Sequence, residues 1–141
     1  MVDGDSLFFE EYAGNQPPLL VLNGQIFAIF GVYDYWRLTG DPVAAQYADG
    51  AATTVLSVMP LVRNPGGVSY YCVQQPYCQS PLWQNSAYHD IHAWQLDTLT
   101  RLTDDPQFAE WAALLRSDWQ ALGLRRAAPD ETLGWEDGPP Q

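Results

Sequence analysis

Stretches with a helical apolar rhythm alternate along the chain with stretches broken by proline and glycine. Over 23–38, Ile26, Phe27, Phe30, Tyr33 and Asp34 recur at helical spacing, which predicts a first helix there. Thr39-Gly40 closes it, because glycine enters the left-handed cap conformation without steric cost. Asp41-Pro42 then opens a second helix, with aspartate as N-cap and proline at the first helical position. That helix carries Ala45, Ala48, Ala52, Val55 and Leu56 and is expected to stop near Pro60. A third helix is predicted over 88–102, with Ile91, Gln95, Leu99 and Leu102 on one stripe, ended by Thr103-Asp104. Asp105-Pro106 opens a fourth, which carries Phe108, Trp111, Leu115 and Trp119 and is expected to end near Gly123.

The punctuation is therefore used twice. Residues 38–45, Leu-Thr-Gly-Asp-Pro-Val-Ala-Ala, are echoed at 102–109 by Leu-Thr-Asp-Asp-Pro-Gln-Phe-Ala. Each copy turns one helix tightly into an antiparallel partner. Two helical hairpins predict a mainly α fold, part of a helical array or toroid. Such arrays ordinarily stack more repeats than two, so further neighbours are expected. The stretch 60–87 is long for a structureless connection and reads as a functional loop, with a short β-hairpin around Gly66-Gly67. Residues 1–17 read as irregular. Residues 1–124 then form one helical domain, followed by an acidic, proline-rich tail at 125–141 that is expected to be disordered.

Charge narrows the partners. Seventeen acidic residues face six basic ones, all arginine, for a net charge of −11. That field repels nucleic acid and anionic membrane surfaces, so neither is expected as a partner. Without lysine, a P-loop phosphate site and a lysine Schiff base are excluded. Cys72 and Cys78 with His89 and His92 are too few soft ligands for a structural zinc site, and no feature calls for a metal or a cofactor. No apolar run approaches the roughly 18 residues that a membrane span needs. The N-terminal residues carry acids where a signal peptide carries basic groups, so the default expectation is cytoplasmic; in that setting Cys72 and Cys78 are expected as unpaired thiols, with a disulfide closing the small loop between them as the alternative. Apolar faces left by missing hairpins would favour a homo-oligomer or a partner domain.

Three clusters carry candidate chemistry. Glu10-Glu11-Tyr12 sets two carboxylates beside a phenol, an acid/base combination, with a solvated acidic turn as the alternative. Ser69-Tyr70-Tyr71 suits a short strand that points its two rings to opposite faces, with plain packing as the alternative. Tyr88-His89-Asp90-Ile91-His92 begins the third helix and holds both histidines of the chain one turn apart on one face. A helix N-terminus disfavours imidazolium, so the pair is expected neutral, able to orient a phenol or to accept a sugar hydroxyl; an exposed first turn is the alternative. Six tryptophans and eight tyrosines also suit a groove that packs on sugar rings, although helix interfaces use the same residues.

Taken in order, these clusters resemble the C-terminal helical domain of D-glucuronyl C5-epimerases. The matched segments are Phe9-Glu10-Glu11-Tyr12, Val21-Leu22-Asn23-Gly24, Phe30-Gly31-Val32-Tyr33-Asp34, Gly67-Val68-Ser69-Tyr70, and Tyr88-His89 with His92, Gln95 and Leu96. Order and spacing agree over 8–119. Where the family follows its tyrosine with Asp-Leu-Arg-His, this chain has Tyr71-Cys72-Val73-Gln74. The resemblance implies an α/α toroid, a uronic-acid polysaccharide as substrate, and a β-rich partner domain that shares the cleft. It also implies the reaction: a base removes the C5 proton of a glucuronate, an enolate-like intermediate forms, and an acid returns a proton to the opposite face. By matching position, the resemblance assigns catalysis to Tyr12, Tyr70 and Tyr88, with Glu11 beside Tyr12; the candidate substrate contacts are Glu10, Asn23, Tyr71, His89 and His92. A tyrosine, with a reference pKa of about 10, is a ready proton donor, and a base only where a cation or donor lowers that value. Two other readings compete: a non-catalytic glycan-binding or interaction module, and a uronan lyase, which shares the proton abstraction and then expels the 4-substituent.

Overall fold

The structure is a computed structural model that describes residues 2–3, 6–11, 14 and 19–120. Tyr12 and the acidic tail lie outside the described residues. The described elements are two short strands, β1 (Val2–Asp3) and β2 (Ser6–Leu7), and four helices: α1 (Leu22–Thr39), α2 (Pro42–Val62), α3 (Ser86–Thr103) and α4 (Pro106–Asp118). β1 and β2 pair antiparallel, so the N-terminal stretch holds a small hairpin where an irregular segment is expected from sequence.

The two helical corners are built alike, bond for bond. Thr39 Oγ1 donates to the Tyr35 carbonyl at 2.8 Å and accepts the Asp41 amide at 3.2 Å, while Asp41 accepts the Val43 amide at 2.8 Å. At the second corner Thr103 Oγ1 donates to the Leu99 carbonyl at 2.8 Å and accepts the Asp105 amide at 3.3 Å, while Asp105 accepts the Gln107 amide at 2.9 Å. The residue between must turn left-handed: Gly40 has φ 71° and Asp104 has φ 58°. The short polar side chain of aspartate is among the few that tolerate this conformation. The repeat read from sequence is thus a repeat of hydrogen bonds.

α1 packs on α2, α3 on α4, and the two hairpins join mainly through α1 against α3. The shared core takes Leu22, Ile26 and Ile29 from α1, Val55 and Met59 from α2, Leu96 and Leu99 from α3, and Phe108 and Leu115 from α4. Each such side chain, fully buried, stabilises the fold by about 1.5–3 kcal/mol. Phe27 lies half-exposed instead and meets Phe30 and Trp94 edge-on or tilted, with ring centroids 6.0–6.3 Å apart. Buried Gln25 fastens the N-terminal segment to the core: its Oε1 accepts the Phe9 amide at 2.7 Å, and its Nε2 donates to the carbonyls of Leu7 and Ala51.

Several boundaries differ from expectation. α2 runs through Pro60 to Val62, because the exposed Pro60 forgoes one hydrogen bond in the last turn while the Arg63 amide still bonds the Met59 carbonyl at 2.9 Å. α4 ends at Asp118, with Trp119 as its extended C-cap, short of Gly123. Gly66-Gly67 makes a turn, closed by Gly67 N–H to the Asn64 carbonyl at 3.0 Å, but no β-hairpin. Residues 69–72 are extended and make two isolated bridges, Tyr70 with Gln84 and Cys72 with Val21, in place of a strand. The rest of the long connection holds two 3₁₀ turns, Tyr77–Gln79 and Pro81–Trp83.

Candidate functional site

Sequence places the matched motifs far apart; the fold brings them to the N-terminal ends of α1 and α3. The 69–73 segment runs along the start of α1, with Leu22 N–H on the Tyr71 carbonyl at 3.2 Å and Val73 N–H on the Leu20 carbonyl at 3.0 Å. It is also pinned to α3. The Ser69 amide donates to His89 Nδ1 at 2.9 Å, so that nitrogen is a bare acceptor and His89 carries its proton on Nε2, which donates to the Leu115 carbonyl at 2.9 Å. Ser69 Oγ lies 3.0 Å from Nδ1 of both histidines. Because the Ser69 amide already takes the single lone pair of His89 Nδ1, the full hydrogen-bond partner of the Ser69 hydroxyl is His92 Nδ1. Trp119 closes over His89 edge-on at 5.5 Å.

Both histidines are therefore buried rather than on an exposed first turn. Burial, and secondarily the proximity of His89, pushes the His92 pKa down from 6.5 to about 3, so His92 is neutral across the physiological range. Its Nε2, together with Asn23 Oδ1 and Gln95 Oε1, is a buried atom without a hydrogen-bond partner among the described residues. Gln95 Nε2 donates to the Asn23 carbonyl at 2.9 Å and ties α3 to the first turn of α1.

The rings separate as the extended backbone requires. Tyr71 is buried, stacked against Trp83 at 6.1 Å with the planes 10° apart, and meets Tyr88 edge-on at 4.8 Å. Tyr70 turns to the other side, its hydroxyl 3.5 Å from Asn64 Oδ1. Tyr71, Leu82, Trp83, Asn85 and Tyr88 line an open groove of about 240 Å³. On the α1 side, the exposed carboxylate of Glu11 lies directly over Gly24, in the space a Cβ would take. The Asn-Gly of the matched segment thus has a steric reason: glycine lets the acidic segment approach the helix start. Glu10, next to it, is half-buried. Among the described residues no group of three His, Cys, Asp or Glu side chains could hold a metal ion, and no helix is long and apolar enough to cross a membrane.

The mid-chain loop has two further fastenings. Arg63 pairs with the nearly enclosed Asp118 at 2.7 Å, and Asp118 also accepts the Gly66 amide at 3.1 Å, which holds its carboxyl below the usual carboxylate range. Cys72 and Cys78 form a disulfide, where free thiols are expected from a cytoplasmic default. Its sulfurs lie among Val21 and Tyr71, a dry pocket that suits a cystine. Replacing both cysteines with alanine is expected to lower stability by about 2 kcal/mol, the chain-entropy value for so short a loop. Urea unfolding of the oxidised and double-alanine proteins measures it.

Sequence reading placed Ser69 in a candidate cluster but gave it no role, although it orders the pair of histidines, and it missed Trp83, which builds the groove wall. The signal for Trp83 was its place in a connection too long to be idle; for Ser69 there was none beyond adjacency to Tyr70.

The described fold is a helical-hairpin domain with an aromatic groove beside the N-terminal end of α3. The chain matches the family model of the D-glucuronyl C5-epimerase C-terminus over residues 1–117, and it belongs to that family. No curated protein and no solved structure matches it.

Proposed function

We propose that this domain acts on uronic acid residues of a polysaccharide, inverting C5 by proton abstraction and reprotonation. The observation that carries the reading is the junction of two matched motifs: Ser69 bonds both histidines of the Tyr88-His89-x-x-His92 segment, which holds Tyr71 of the loop against Tyr88 of the helix, while Tyr70 faces the other side. Because both imidazoles are buried and committed to Ser69, proton transfer falls to the phenols and carboxylates around them. In this reading Tyr88 returns the proton from one side of the sugar ring. Glu11, whose carboxylate lies over Gly24 at the start of α1, supplies the base from the other. In this reading α1 and α3, which pack on each other, would be neighbouring inner helices of an α/α toroid, and a β-rich partner domain would share the cleft.

The test is isotopic. Incubated with a glucuronate polymer in deuterated water, the oxidised protein is expected to place deuterium at C5 and to yield the C5 epimer. Absence of label with several uronans would sink the reading in favour of a glycan-binding module. An unsaturated product that absorbs in the ultraviolet would make the protein a lyase.

A further inference from the structure

At the far end of the helices from Ser69 and Tyr88, a second cavity of about 270 Å³ opens between α1, α2 and α3. Tyr88 and Leu102 mark the two ends of α3, roughly 20 Å apart at the helical rise, so the cavity is remote from the site above. It exists because α2 presents only small side chains there. Ala45 and Ala48 stop at Cβ and leave the space toward Ile29 and Leu99 unfilled. Two walls are aromatic: Tyr33 and Trp36 meet edge-on, with centroids 5.4 Å apart and planes at 73°, close to a right-angled corner. Asp49, which is solvent-exposed, is the one charged residue of the lining. Among the described residues its carboxylate has no hydrogen bond or ion pair, and the Tyr33 hydroxyl has no hydrogen bond.

The geometry points to a binding site for a small alkylammonium ion at this corner, separate from the uronan chemistry. The faces of indole and phenol attract a cation, and two rings set near a right angle enclose it on two sides. Asp49 answers the charge, and the aliphatic floor takes the methyl and methylene groups. α1 and α3 both end here, and a helix C-terminus favours positive charge; α2 begins here, but its N-terminus is capped by Asp41. Arg37 lies over Trp36 at 6.0 Å without lining the cavity, so this indole already seats one cation from outside. An exposed guanidinium there is screened by solvent, whereas the net charge of −11 draws cations to the whole surface. An anion would meet Asp49 with no cation in the lining to pair with, and an uncharged molecule of the same shape would gain nothing from the Asp49 charge.

The probes are choline and its uncharged carbon isostere, 3,3-dimethylbutanol, titrated into the full, oxidised chain and followed by ligand-observed NMR. Choline is expected to bind about fivefold more tightly than the alcohol. Asp49→Asn, at a position too exposed to disturb folding, is expected to weaken choline about threefold and to leave the alcohol unchanged. Trp36→Leu is expected to weaken choline about fivefold, while Tyr88→Phe, at the other end of α3, leaves it unchanged. Phosphatidylcholine vesicles carry the same head group on a lipid; the protein is expected to stay in the supernatant when they are sedimented, and pelleting would overturn the assignment to a free small ion. No detectable choline binding, equal affinity for choline and the alcohol, or unchanged choline affinity in Asp49→Asn overturns the proposal. None of these readouts depends on whether a uronan is labelled at C5, so this site and the catalytic reading stand or fall separately.

Discussion

Tyr88→Phe is expected to reduce C5 deuterium incorporation by about two to four orders of magnitude, the usual worth of a positioned proton donor. The substitution keeps the ring that meets Tyr71 at 4.8 Å and removes only the hydroxyl, so circular dichroism and the urea midpoint should not move. The control lies one residue from the same pairing. Tyr71→Phe also keeps its ring between Trp83 and Tyr88, and because Tyr71 is a buried wall of the groove, it should alter substrate affinity far more than turnover. Label incorporation by Tyr88→Phe within threefold of the parent would remove Tyr88 from the proton path.

The second large effect is on stability as acid is added. The imidazole of His92 titrates near 6.5 when the chain is unfolded but only at about 3 when folded, because burial disfavours its charge. Its contribution to stability is present above the unfolded value and is lost as pH falls, since the unfolded state gains a proton that the native state refuses. The slope is about 1.4 kcal/mol per pH unit below 6.5, so about 2 kcal/mol is lost by pH 5. Asp118, held low by Arg63, adds a loss in the same direction, but only below the ordinary carboxylate range. Between pH 6.5 and 5 Asp118 therefore adds nothing to the slope. His92→Asn retains a donor near the Nδ1 position for Ser69 Oγ and should flatten the profile by close to one proton. Urea unfolding at half-unit pH steps reads this, and an unchanged slope in the variant would contradict the burial argument.

The helices were legible because two independent signals agreed. The apolar spacing of α3 and α4 marks their faces, and Asp-Pro after Thr-Gly or Thr-Asp marks where each hairpin bends. Their ends were less so. Proline at position 60 reads as a stop, yet the last turn of a helix loses little by lacking one donor there, and α2 continues past it. The candidate site was legible only as segments. Ser69, His89 and His92 are polar residues whose pattern resembles a solvated turn, and nothing local foretells that α4 contributes the Leu115 carbonyl that lets the pair be buried. The groove was hidden for the same reason. Trp83 and Tyr71 stack only after two 3₁₀ turns have reversed the chain, and such turns carry no periodic signature.

The cystine between positions 72 and 78 has a consequence for where this protein can work. Its helical scaffold is assembled from core contacts that do not involve the disulfide, whereas one wall of the groove, Tyr71, and Tyr77, which leans on the Trp83 wall, are each one peptide bond from a half-cystine. Thiol reductants should therefore leave a folded molecule with a loosened groove, whereas oxidising conditions keep the bridge closed and the groove in shape.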